Sequence, residues 1–278
     1  MNLFNIIDEI ENVDPEFQDR ISPRRAAIKN ITSFGSKVAV AALPFAFSTL
    51  FKKAYGQTSG TAVNDVLNFA LTLEYLEAEY YATGVSTAGL IPAGAGATAL
   101  AQIAKDEANH VAFLKSVLGS AAVSKPTFDF TAKNTFPDVF SNYQTFLKVA
   151  LAFEDTGVRA YKGQAGNLKG NKVVLTAALN IHSVEARHAS HLRQMVAANV
   201  SGASALKPWI AYTANGNDTG IAAVNPVYAG EQNTTQANVN VTGFMGASGN
   251  ISQSAAAEAF DEPLTKDAVL AIAGLFIV

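Results

Sequence analysis

"IHSVEARHASH", residues 181–191, and "KDEANHVAFL", residues 105–114, share one small pattern, Glu-x-x-His, at Glu185/His188 and at Glu107/His110. Each copy sits where an apolar stripe of helical period should run unbroken. Around the first copy the stripe is Val174, Ala178 and Ile181, then Glu185 and His188, then Leu192 and Met195. Around the second it is Leu100 and Ile103, then Glu107 and His110, then Leu114 and Val117. Steps of three and four are the seam of a helix packed in a bundle.

Two more stretches behave the same way. One runs from Ala62 to Ala82, with Val63, Leu67 and Ala70, then Glu74 and Glu77, then Tyr81. The other runs from Pro137 to Lys162, with Phe140, Tyr143, Leu147 and Ala150, then Glu154, then Gly157 and Tyr161. Together with helices at 98–118 and 171–199 they make four, each with ionisable residues at the same depth. "TGVSTAGLIPAGAGA" joins the first to the second, and the short "GQAGNLKG" joins the third to the fourth. An 18-residue segment, "GSAAVSKPTFDFTAKNTF", lies between the pairs. Extended, it reaches ~60 Å, the length of a bundle. The expected fold is all-α: a four-helix bundle of two hairpins joined by a long crossover.

The two hairpins repeat one order of residues. Glu74 is followed seven positions on by Tyr81 and 33 positions on by Glu107 of Glu-x-x-His110. Glu154 is followed seven on by Tyr161 and 31 on by Glu185 of Glu-x-x-His188. The repeat sorts the histidines, because His182 matches Ala104 and His191 matches Phe113. On a helix those two lie half a turn apart, so they read as flanking residues. Glu77 matches Gly157; the interval to Tyr81 selects Glu74, with Glu77 as an alternate or additional ligand.

Four carboxylates in a bundle core repel one another and lose hydration at several kcal/mol each. Four Glu⁻ with two neutral imidazoles carry −4, which two divalent ions balance. The six residues Glu74, Glu107, His110, Glu154, Glu185 and His188 therefore read as a dinuclear site, and this ligand chemistry favours iron or manganese. A buried polar network without metal is the alternative. Tyr81 and Tyr161, on the same faces as Glu74 and Glu154, could donate to ligand carboxylates or simply fill space.

Composition limits the other classes. Net charge is −3 with no basic face, which argues against nucleic acid, and there are no cysteines, which removes disulfides and thiolate metal sites. Residues 1–57 read as a leader. Arg24-Arg25 precede a mostly apolar run, Val38 to Phe51, of 14 residues, too short for a comfortable membrane span. This is similar to a twin-arginine export signal and implies export to the periplasm; a membrane anchor or an amphipathic helix is the other reading. Residues 199–278 are loop-rich. "QANVNVTGF" alternates like a short strand, Asp261 and Glu262 read as helix-start charges, with extra polar groups near the site as the other reading, and a helix begins near Thr265. Its apolar end, "VLAIAGLFIV", reads as docking on the bundle, with a homo-oligomer contact as the alternative.

Residues 61–198 resemble the ferritin-like superfamily, which includes ferritins, rubrerythrins and manganese catalases. More narrowly, "LTLEYLEAEYY", "KDEANHVAFL", "KPTFDF", "LAFEDTGVRAY" and "FDEPLTKDAVLAIAGLF" resemble the bacterial ferritin-like domain proteins related to plant desiccation-related proteins, over about residues 60 to 278. The resemblance implies the four-helix fold and the six ligands. It brings no agreed reaction. The expectation is an oxidoreductase acting on O₂, peroxide or Fe(II), as ferroxidase, peroxidase or catalase; a metal-sequestering or structural stress protein is the second reading.

Overall fold

The apolar seams form helices where the period places them. The computed structural model describes residues 60–246 and 249–278, so the leader-like segment lies outside the described residues. Four long helices make the bundle: α1 (Gly60–Ser86), α2 (Ala95–Leu118), α3 (Tyr143–Ala165) and α4 (Lys172–Asn199). The main packing is within the hairpins, α1 on α2 and α3 on α4, and α1 also meets α3. The all-α bundle expected from the sequence is what forms.

Helix α3 starts later than the period suggested, at Tyr143 rather than Pro137. Asn142 caps it, its side chain accepting from the Gln144 N–H at 3.0 Å. An Asn at this position satisfies amide donors that the first turn leaves free, so the chain switches from turn to helix there. Phe140 therefore sits in a turn, although it still packs against the core. The crossover before it contains three consecutive residues with positive φ, Ala132, Lys133 and Asn134. Asp129 holds that turn by accepting from the Thr131 and Lys133 amides, both at 3.0 Å.

Buried apolar residues fall into two groups along the bundle axis. One gathers Leu67, Leu71, Leu114, Val117, Val174 and Ile181 at one end. The other gathers Leu76, Tyr80, Leu100, Phe146, Leu147 and Leu192 towards the opposite end. Between them lies a layer of fully buried carboxylates, Glu74, Glu107, Glu154 and Glu185.

The C-terminal region wraps the bundle. The alternating stretch forms a minimal hairpin, β1 (Thr235–Gln236) with β2 (Val239–Asn240), turning through Ala237 and Asn238 at positive φ. A second one pairs β3 (Met245–Gly246) with β4 (Gly249–Asn250). Two short helices follow, α5 (Gln253–Glu258) and α6 (Lys266–Ala273), the latter capped by Thr265. The apolar end docks as expected: Val269, Ile272 and Phe276 are buried, and Phe276 meets Phe153 of α3 edge-on at 4.8 Å. Ile277 bridges to Phe128 of the crossover.

Asp261 and Glu262 are not helix-start charges, because the α6 cap lies beyond them at Thr265. The Glu262 side chain accepts from Gln236 at 2.6 Å and Asn233 at 3.1 Å, tying the first hairpin down, and its carbonyl accepts from Arg159 at 2.7 Å. Among the described residues, no helix is long and apolar enough to cross a membrane.

Candidate metal centre

Each helix of the bundle delivers one carboxylate to the polar layer, and α2 and α4 add a histidine one turn on. His110 Nδ1 lies 2.9 Å from Glu107 Oε2, 3.1 Å from Glu74 Oε2 and 3.4 Å from Glu185 Oε1. His188 Nδ1 lies 2.8 Å from Glu107 Oε1 and 3.3 Å from Glu154 Oε2. All six residues singled out by the repeat converge. Their donor atoms form two overlapping groups that could each hold an ion: Glu74, Glu107, His110 and Glu185, and Glu107, Glu154, Glu185 and His188. Glu107 and Glu185 belong to both, as carboxylates spanning two positions would.

The tyrosines cross between hairpins. Tyr81 of α1 donates to Glu154 Oε1 of α3 at 2.7 Å, and Tyr161 of α3 donates to Glu74 Oε1 of α1. Each hydroxyl occupies one oxygen of its carboxylate and leaves Oε2 turned towards a histidine. The core-filling reading of the two tyrosines is therefore incomplete.

The donor set fits a metal pair. Seven buried side-chain polar atoms among the described residues lack a hydrogen-bond partner, and five belong to this layer: Glu107 Oε1, Glu154 Oε2, both oxygens of Glu185 and His188 Nδ1. Glu107 Oε1 and His188 Nδ1 are close but not aligned as a hydrogen bond. Buried polar groups are rarely left in this state, and atoms that crowd together without bonding to one another suit a shared cation.

Electrostatics say the same. Burial, then the neighbouring Glu154, pushes Glu107 up to about 7. Burial, Glu107 and Glu154 raise Glu185 well above the carboxylate range. Burial alone would lower the histidines, but the surrounding carboxylates more than reverse it, lifting His188 to about 11 and His110 higher still. Protons take the place of countercharge, and a metal would have to displace them.

Of the other histidines, His191 is exposed and His182 is half-buried, its Nδ1 unbonded. Both lie off the centre. Glu77, left open by the spacing, is 3 % exposed and stands at the edge of the layer beside Glu185. Asp106 was missed: its Oδ2 lies 3.4 Å from His188 Nε2 and can orient that ring. The repeat could not reveal it, because its mate in the second hairpin is Val184. Its place directly before Glu107, a quarter-turn off the inward stripe, was the available signal.

Fold and site together define a helical-bundle carboxylate protein with the groups to bind metal. Residues 62–198 match the model of the ferritin-like domain family. Those residues therefore form a ferritin-like domain, which places this part of the chain in the ferritin-like superfamily. The narrower likeness to desiccation-related proteins rests on the quoted motifs alone. No curated protein and no solved structure matches the chain.

Proposed function

We propose that the protein binds two divalent metal ions, iron or manganese, and works as an oxidoreductase on O₂, peroxide or Fe(II) in stress defence. The observation that carries this reading is the set of five orphaned, buried donor atoms at the meeting point of two Glu-x-x-His helices. In it, Glu74, His110, Glu107 and Glu185 hold one ion, and Glu154, His188, Glu107 and Glu185 the other. A bound redox-active pair would supply the electron transfer to a small oxidant. The chain's own part is positioning. Tyr81 and Tyr161 fix the outer carboxylates, Asp106 orients the His188 ring, and the apolar layers on either side keep bulk water from the centre. The arginine pair at 24–25 and the short apolar run after it support export to the periplasm.

The test is metal content and turnover of protein purified without chelator from cells given both iron and manganese. About two ions per chain are expected, both lost in the His110→Ala/His188→Ala variant while the helical spectrum stays. Loaded protein that consumes neither peroxide nor Fe(II) with O₂ would point to metal sequestration or a structural role. Folded protein with no metal would overturn the reading.

A further inference from the structure

Besides Asp106, whose mate is Val184, the two halves of the centre differ at one place. Glu74 and Tyr81 are mirrored by Glu154 and Tyr161, but Glu77 is mirrored by Gly157. The glycine is what makes room. A Cβ at position 157 would lie 2.7 Å from Glu185 Oε2 and 3.3 Å from Glu77 Oε1, so both carboxylates border the space it leaves open. Glu77 is almost wholly buried, and its carboxyl has no hydrogen bond or ion pair among the described residues. A narrow crevice reaches it, walled by Leu73 and Leu76 of α1, Phe153 and Gly157 of α3 and Ile272 of α6. A buried carboxyl with no protein partner, facing a second one across an open gap, either keeps its proton or shares a cation with its neighbour.

We propose that Glu77 is a fifth carboxylate of the centre, entering beside Glu185 through the space at Gly157 and making the two metal positions unequal. The inference rests on the dinuclear reading above and deepens it. Charge gives it a chemical sense. Four glutamates and two neutral histidines carry −4, matching two divalent ions; with Glu77 the set carries −5, matching one divalent and one trivalent ion. The fifth carboxylate therefore biases the pair towards its oxidised side, which suits a centre that gives electrons to an oxidant.

The experiment is a calorimetric titration of the metal-free full chain with Co(II), following the visible cobalt spectrum, for wild type and Glu77→Gln. Wild type should take up two Co(II). Glu77→Gln should still take up two, with one step weakened by at least ~10-fold, the other unchanged, and a stronger visible absorption from the cobalt that lost a ligand. Glu77→Asp should fall between the two. Metal-free Glu77→Gln should melt at or above wild type, since it removes an unpartnered buried carboxyl; a much lower melting point would make Glu77 structural and overturn the proposal. Two unchanged steps with an unchanged spectrum would also overturn it, as would loss of both ions together. Wild type binding no cobalt pair would sink the dinuclear reading itself, a different failure from the others.

Discussion

His188 turns one ring nitrogen to Glu107 and Glu154 and the other to Asp106, so its orientation is set from two sides before any ion arrives. Burial and the crowding of carboxylates give the metal-free centre an inverted pH dependence. Glu107 is raised from 4.5 to about 7 in the folded chain, and His188 from 6.5 to about 11. Both bind protons more tightly folded than unfolded. Their stabilisation is complete below the ordinary values and is lost as pH rises, first across 4.5 to 7 and then across 6.5 to 11. Metal-free protein should thus lose on the order of a few kcal/mol between about pH 5 and 9. A bound metal replaces the protons, so its affinity should rise over the same window. Thermal unfolding with and without Mn(II) checks this: the two melting curves should diverge as pH increases. Metal-free protein that grows more stable towards pH 9 would show that the carboxylates are compensated by something other than protons. At this scale the sequence was informative where the repeat applied. The six donors and both tyrosines follow from spacing, whereas Asp106, with Val184 as its mate, and Glu77, with Gly157, fall outside it.

At the scale of elements, the four helices were legible because a buried seam leaves a 3.6-residue period whatever surrounds it. The start of α3 was not, because Phe140 and Tyr143 continue the apolar spacing while the Asn142 cap decides the boundary. That the apolar C-terminal end docks on the bundle was legible, but where the chain before it crosses α3 was hidden, since that depends on contacts between residues about a hundred positions apart. Gly163 shows why. A Cβ there would run into the carbonyl oxygen of Leu264, where the chain crosses α3 and the Leu264 amide donates to the Arg159 carbonyl at 3.2 Å. Helix propensity alone favours alanine over glycine by about 1 kcal/mol. The close approach reverses the sign, because backbone cannot move aside as a flexible side chain can. Gly163→Ala should destabilise by roughly 1–3 kcal/mol and speed proteolysis in residues 199–278. Gly166, with negative φ and open space around it, is the control; Gly166→Ala should be neutral or slightly stabilising. Denaturant unfolding of both variants decides it, and equal effects would mean that the crossing is not tight.

For the whole molecule, what joins residues 199–278 to the bundle is charge as well as apolar packing. Arg193 of α4, 1 % exposed, donates to Asp155 at 2.8 Å, to Asp218 at 2.7 Å and to the Trp209 carbonyl at 3.1 Å. Tyr228 donates to the same Asp155 oxygen at 2.7 Å. One turn along α3 from Asp155, Arg159 pairs with Glu231 at 2.8 Å and donates to the carbonyls of Ala229 and Glu262. Asp155 directly follows Glu154, so one turn of α3 faces the carboxylate layer on one side and the wrapping segment on the other. Removing a buried cation leaves its anions without compensation, which typically costs about 3–5 kcal/mol. Arg193→Met should lose stability of that order, through Asp155 and Asp218 rather than through lost packing, since methionine keeps much of the volume. The check is a mutant cycle in denaturant unfolding. Adding Asp155→Asn and Asp218→Asn to Arg193→Met should recover a large part of the loss, because the stranded charges go with their partner. A triple variant as unstable as Arg193→Met alone would assign the clamp's contribution to shape instead of charge.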